Sequence, residues 1–388
     1  MNILRPVSPR RVALVFDRPY VDAHPCFREM VCQFARCGWN VDLFMTHSPS
    51  HPIPVFDSNR VRIFRMQKTR VGLLNVLSRL VLPGRYTIVV ATPQWPLHWA
   101  VWAKDWGRFR VVCLSDEIYL QEETETPVQR KWKRREIRAH QLADFTVSLS
   151  ETRMSLVAQE NCLRSNHPYA VIPNAPSGEA YRSTSCYYRE RFLVPPERGI
   201  LVHSGTLGWR LAAQLAGLAE HWSEPWTVVF QGRFKGANRQ GVSGRSVYYE
   251  ERVFPGKQMH EITSSADIGL ALYDRTHPVE RRNGETPGKL GLYLSCALPV
   301  ICGNIDSLRW VSEEKCGEWV EDLAEIPRAA ERIKANYQQY TKNAARVFNE
   351  RFEYSSRFDG FLFKLQCVLE TQQTTGRGTG RMSEIPSD

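Results

Sequence analysis

Short apolar runs alternate along this chain with stretches whose apolar residues recur every three to four positions. The first kind reads as buried strand and the second as amphipathic helix. In the first half, residues 12–16 predict a strand and 27–38 a helix closed by Gly38. Further strands are expected at 41–45, 61–65, 87–90 and 110–114, then at 143–149 and 170–172. The pattern restarts at 200–203 with a strand, followed by a helix at 211–220 and strands at 227–231, 246–249, 268–272 and 299–301. Helices at 326–351 and 355–370 complete it. Continuous apolar strands separated by helices predict parallel sheets covered on both faces, so the fold class is α/β with two Rossmann-like domains. Their sheets should face a central cleft, because ligands of such sheets bind beyond the carboxyl ends of the strands. The expected division is 1–175, a connection at 176–198 rich in Pro, Ser, Tyr and charge, a second domain at 199–351, and a helix at 352–370. The polar tail 371–388 has too little apolar surface to join a core and is expected to be disordered.

Composition narrows the class. The chain has 388 residues, 43% hydrophobic and 24% charged, which suits a soluble protein of two ordinary domains. No apolar stretch approaches the roughly 18–20 residues of a spanning helix. The opening residues MNILRPVSPRR are basic but lack an apolar segment, which points to the cytoplasm rather than secretion. Ten cysteines are scattered without CxxC pairs, so reduced thiols are expected rather than disulfides or zinc. Part of the net charge of +10 is concentrated in RKWKRREIRAH, residues 130–140, where Trp132 and Ile137 add apolar anchors. That run reads either as a solvated helix face or as contact with a membrane surface or anionic acceptor. Nucleic acid is disfavoured, since no recognition module accompanies the charge.

The run TPGKLGLYLSCALPVI, residues 286–301, carries the clearest chemistry. Thr286, Pro287 and Gly288 form a turn, and Lys289 falls in the first turn of the helix that follows. A helix N-terminus with an added ammonium is suited to an anion such as phosphate. The dinucleotide fingerprint GxGxxG and the Walker A loop are both missing, so neither hydride transfer nor nucleotide hydrolysis has a motif. No cofactor is expected, and the lack of a DxD-type pair argues against a metal.

Five motifs in order then resemble a known class. They are ADFTVSLSE at 143–151, VIPNAP at 171–176, LVHSGTLGWR at 201–210, ADIGLALYD at 266–274, and the Pro-x-Lys helix leading to a Pro-Val strand between Pro287 and Val300. Together they resemble the GT-B fold glycosyltransferases of group 1 (glycosyltransferase family 4), over about 11–370. The resemblance implies transfer of a sugar from a UDP-, GDP-, dTDP- or ADP-linked donor to a glycan, lipid-linked or small-molecule acceptor. It also implies retention of anomeric configuration and a C-terminal helix crossing back to the first domain. On this reading Arg210 and Lys289 hold the donor diphosphate, helped by Gly205, Thr206, Thr286 and Gly288. Gly232, Arg233 and Phe254 lie on the nucleotide side.

The sequence departs from that class at the ribose. The usual glutamate three residues after the lysine is Leu292, and the earlier acidic position falls on Gly284, with Glu285 one residue later. Glu285 either takes that role after a small loop shift or is a solvated loop carboxylate. On the acceptor side, His24 and Arg28 are the expected contacts, although His24 could equally cap a loop. Asp116 and Glu117 follow a strand where relatives place a histidine near the sugar. A carboxylate there could stabilise the transition state or take an acceptor proton, or the Ser115-Asp116-Glu117 run could cap a helix. Two rival functions remain: a nucleotide-sugar epimerase of the same fold, and a non-catalytic binding or scaffold protein.

Overall fold

The computed structural model describes residues 10–48, 53–67, 69–205, 210–222, 225–232, 246–252, 254–273, 286–303 and 305–375. The first half is built on seven strands: β1 Arg11–Phe16, β2 Asn40–Thr46, β3 Val61–Met66, β4 Ile88–Ala91, β5 Arg110–Ser115, β6 Phe145–Ser148 and β7 Tyr169–Val171. They form one parallel sheet in the order β3-β2-β1-β4-β5-β6-β7. Its helices are α1 Pro25–Arg36, α2 Arg70–Leu80, α3 Trp95–Gly107, α4 Pro127–Leu142 and α5 Glu151–Glu160. Alternation along β1 shows why both faces are covered. Val12, Leu14 and Phe16 join the α1 side of the core, whereas Ala13 and Val15 join the side closed by α2, α3 and α4.

The short α6 Tyr187–Phe192 lies in the segment expected to be a plain connection. It buries Tyr188 in the second core, so this stretch is packed structure rather than linker. The second half has β8 Gly199–Ser204, β9 Trp226–Gln231, β10 Val247–Glu250, β11 Ile268–Leu272, β12 Val300–Gly303 and β13 Gly317–Val320. They form a parallel sheet in the order β10-β9-β8-β11-β12-β13. The helices are α7 Arg210–Ala219, α8 Gly256–Thr263, α9 Gly288–Ser295, α10 Trp310–Glu313, α11 Ile326–Ala335 and α12 Tyr337–Val347. In both sheets the strand order reverses about the first strand, at β1 and at β8. A crevice forms at such a reversal, beyond the carboxyl ends of the strands.

The last helix, α13 Tyr354–Thr375, crosses back onto the first domain, where Tyr354, Phe358, Phe361 and Leu365 recur at helical spacing and are buried beside α1. Phe34 meets Phe358 edge-on at 5.0 Å between ring centroids. Two expectations are corrected here. The helix predicted at 326–351 is divided at Asn336, whose φ of −129° leaves the helical region, and ends in a π-helical turn, Phe348–Phe352. Asparagine favours such a break because its side chain competes with helical backbone bonds. The final helix also continues through Thr375, since 371–375 contains no breaker before Gly376. The remaining tail, 376–388, lies outside the described residues.

Candidate active site

At the carboxyl ends of β8 and β9 the backbone turns at two glycines. Gly205 has φ of +132° and Gly232 has φ of +145°. A Cβ on Gly232 would stand 1.7 Å from the Gly205 carbonyl oxygen, so only glycine allows these two chain segments to touch. The Gly205 N–H, expected to meet a phosphate, instead donates to the Gln231 carbonyl at 2.9 Å. The turn therefore contributes shape and space there, and the charge comes from Lys289.

Lys289 lies in the first turn of α9, where main-chain N–H groups lack intrahelical acceptors. Its Nζ is 3.5 Å from His203 Nε2, 4.9 Å from the Tyr273 ring centroid, and 3.9 Å from where a Cβ on Gly205 would stand. Burial, followed by the Lys289 charge, pushes His203 well below the usual imidazole range. The ring thus stays neutral beside the ammonium. Tyr293 Oη accepts from the Ser204 main-chain N–H at 2.7 Å and ties α9 to the end of β8.

The other expected donor contacts are distributed as follows. Thr286 is buried before α9, and Pro287 takes the N-cap position with Gly288 as the first helical residue. Arg210 opens α7 and is exposed. Leu292 packs against the second core, so this position serves apolar packing. Phe254 lies against Tyr187 at 5.8 Å, with the Arg252 guanidinium 5.5 Å from its ring. Thr206, Arg233 and Glu285 lie outside the described residues.

Across the crevice, four titratable side chains that follow β1 and β5 meet. Arg18 Nη1 donates to Glu117 Oε1 at 2.6 Å and lies 3.9 Å from Asp116 Oδ2. His24 Nδ1 is 3.7 Å from Asp116 Oδ2, and its Nε2 is 3.5 Å from Arg18 Nη1. Tyr119 Oη donates to Glu117 Oε2 at 2.9 Å. Neither carboxylate oxygen of Asp116 has a hydrogen-bond donor among the described residues. A buried carboxylate in that state costs free energy unless it takes up a proton or a ligand. Accordingly burial, with some help from Glu117, raises Asp116 to about 7, against the pull of Arg18. Burial also opposes ionisation of Glu117, but its Arg18 hydrogen bond and charge hold it below the usual range. Burial, then Arg18, lowers His24 to about 4.

Adjacent carboxyls with opposed tendencies can donate and accept at neutral pH. The helix-capping alternative for Asp116 is not realised: α4 starts at Pro127 and is capped by Thr126. His24 occupies the N-cap position of α1 without a side-chain cap bond, which leaves its ring for the Asp116 cluster. Gln94, in the same recess, has φ of 70° and ψ of −135°. Such backbone strain costs about 1–3 kcal/mol and concentrates at functional sites.

Arg28 is more structural than expected. It pairs with Asp22, donates to the Val55 carbonyl at 2.9 Å and lies 4.9 Å from the Phe56 ring centroid. Its Nε would be 3.6 Å from a Cβ on Gly256 at the start of α8, so it borders the second domain. Asn174 joins the two halves more directly. Its Oδ1 accepts from the Cys26 main-chain N–H at 3.1 Å, two residues after His24. Its Nδ2 lies 2.8 Å from where a Cβ on Gly288 would stand, next to Lys289. The starts of α1 and α9 therefore converge on one side chain. Sequence reasoning missed Arg18, Tyr119, Gln94, His203 and Asn174 as site residues. Asn174 and His203 had a signal, within the VIPNAP and LVHSGTLGWR motifs.

Comparison with known proteins agrees with this architecture. Residues 214–352 match the family described as glucosyltransferase 3-like, C-terminal domain. Sucrose-phosphate synthase from Thermosynechococcus elongatus is 15% identical with a TM-score of 0.64, covering 95% of this chain and 100% of that one. HepE from Anabaena, solved with UDP and glucose, is 15% identical with a TM-score of 0.68, covering 92% and 100%. The α,α-trehalose 6-phosphate synthase from Burkholderia multivorans is 12% identical with a TM-score of 0.64, covering 96% and 100%. No curated protein matches the chain in sequence. The chain has the GT-B fold, two Rossmann-like domains about a crevice, and its residues 214–352 are similar to the C-terminal domain of glucosyltransferase 3-like proteins.

Proposed function

We propose that this chain is a retaining, metal-independent glycosyltransferase that moves a hexose from a UDP-linked donor to a hydroxyl of a glycan, lipid-linked or small-molecule acceptor. The observation that carries this reading is the Lys289 ammonium, held over the Gly205 turn beside neutral His203 and joined through Asn174 to the Arg18–Asp116–Glu117–His24 cluster. UDP is favoured because HepE, which shares the fold, was solved with UDP and with UDP-glucose.

In the reaction, the bond between the anomeric carbon and the diphosphate oxygen breaks, and negative charge grows on the diphosphate. Lys289 and Arg210 stabilise that charge, with Thr206, Thr286 and Gly288 shaping the pocket. The acceptor oxygen bonds to the anomeric carbon on the face the diphosphate leaves, and its proton passes to a diphosphate oxygen. Asp116 and Glu117 orient sugar or acceptor hydroxyls, and His24 supports them. Gly232, Arg233 and Phe254 border the nucleotide. Glu285 holds the ribose hydroxyls, since Leu292 has no polar group to do so.

The test is a thermal-shift series with UDP-, GDP-, dTDP- and ADP-glucose, followed by assays of nucleotide release with and without acceptor sugars. Stabilisation by the UDP sugar and acceptor-dependent release of UDP are expected. The opposed proton affinities of Asp116 and Glu117 also suit an epimerase. Acceptor-free conversion of one UDP-hexose into another, lost in D116N and E117Q, would transfer the assignment to that reaction. No stabilisation by any nucleotide would favour a scaffold.

A further inference from the structure

Helices α2, α3 and α4 close the face of the first sheet opposite α1, and α3 packs between the other two. Their inward sides are ordinary core. The outward sides are not. Trp102 and Trp106 of α3 are 49% and 64% exposed, and Trp132 of α4 is 45% exposed. Trp99, Trp102 and Trp106 form a ladder along α3, with ring centroids 5.9 and 5.8 Å apart. Large aromatics left in water forgo much of their burial energy, which marks a surface that meets something else.

Helix α4 adds the charge. Its inward stripe buries Lys133, Glu136 and Ala139, and Lys133 donates to the Tyr119 carbonyl and to Glu136 at 3.2 Å. Lys131, Arg134, Arg135 and Arg138 are exposed and form no ion pair with a described residue. The Arg135 guanidinium lies 5.0 Å from the Trp132 ring centroid. His98 on α3 lies 5.1 Å from Trp99 between ring centroids, and its burial, then the Arg135 and Arg138 charges, lowers its proton affinity. Lys104 also joins the helices, donating to the Leu142 carbonyl at 2.8 Å. The nearby glutamates, Glu122, Glu123 and Glu125, precede α4 in sequence, and Asp105 is the exposed acid on α3.

We propose that this face docks the protein on an anionic lipid surface, with Trp102, Trp106 and Trp132 at headgroup depth and the α4 cations on lipid phosphates. Tryptophan with interspersed Lys and Arg is the chemistry of an interfacial anchor. Among the described residues no helix is long and apolar enough to cross a membrane, so the contact is peripheral. Lys133 fixes α4 to the carbonyl of Tyr119, whose hydroxyl holds Glu117, so the docking face and the acceptor side are structurally tied. The proposal is independent of the donor.

The test is co-sedimentation of the full chain with vesicles of phosphatidylcholine containing phosphatidylglycerol, against pure phosphatidylcholine. Binding to the anionic vesicles alone, falling as sodium chloride rises, with a blue shift of tryptophan emission, is expected. Neutralising three cations in R134Q/R135Q/R138Q should weaken partitioning roughly 100-fold, from about 1 kcal/mol per basic residue. W102S/W106S should weaken it as well and shrink the blue shift. Unchanged circular dichroism and melting temperature confirm that the variants fold. Equal binding to neutral vesicles, no binding to either, or wild-type binding by both variants would overturn the proposal. So would full vesicle binding by W102S/W106S with displacement by heparin, which would assign the face to a soluble polyanion.

Discussion

The two walls of the crevice are built differently. The second-domain wall is glycine and backbone around one ammonium: Gly205 and Gly232 interlock, and Lys289 stands above them. The first-domain wall is a cluster of ionisable side chains in which Arg18 must serve Glu117 and Asp116 at once. A steric turn with a fixed cation suits a permanent anion such as a diphosphate. A cluster with a carboxyl near neutrality suits hydroxyls and protons. Substitutions on the second wall should therefore act without regard to pH, and those on the first should act through it.

The most severe effect is expected at Lys289. Replacing Lys289 by Ala removes the charge over the turn, and turnover should fall about 10²–10³-fold in a steady-state assay at every pH tested. Gly232→Ala comes next. Its Cβ would collide with the Gly205 carbonyl in a left-handed conformation, so chemical denaturation should show a loss of at least about 2 kcal/mol. Arg18→Met leaves Glu117 and Asp116 without their shared cation. Because Glu117 is partly solvated, the stability cost should be only about 1 kcal/mol by the same method. The activity–pH profile of this variant should move to higher pH, since both carboxyls become harder to ionise.

A further effect is on stability, depends on pH and has a definite sign. Asp116 ionises at about 7 in the fold, against roughly 3.9 in an unfolded chain. Below about 4 both states hold the proton and the group is silent. Between about 4 and 7 the folded state holds more protons, so stability falls as pH rises; above about 7 the loss is complete. Asp116→Asn removes this slope. The melting temperature of D116N minus that of the wild type should therefore rise between about pH 5 and about pH 8. A flat difference would mean that Asp116 ionises normally.

The same contrast explains what the sequence made legible. Buried parallel strands are written as continuous apolar runs, so both sheets were readable apart from the edge strand β13, whose short GEWV run is not continuously apolar. Turn chemistry is local, so Lys289, Gly205 and Gly232 stood out. The first-domain wall depends on distant pairings. Arg18 meets Glu117 across 99 positions, and Asn174 meets Cys26 across 148, which no local pattern records. Helix α3 was overlooked because its tryptophans keep the outward face apolar while Leu97, Ala100 and Ala103 fill the inward one, leaving no clean amphipathic stripe. Leu292 shows the opposite case, since the position where the resembled class carries a ribose-binding glutamate holds a half-buried leucine packed against the second core.

Calorimetric titration of UDP into the wild type, K289A and D116N tests the division between the two walls most directly. UDP affinity should fall at least about tenfold in K289A, the loss of one charge-assisted hydrogen bond, and stay at the wild-type value in D116N. Wild-type affinity in K289A, or an equal loss in D116N, would contradict the assignment of the phosphate grip to α9.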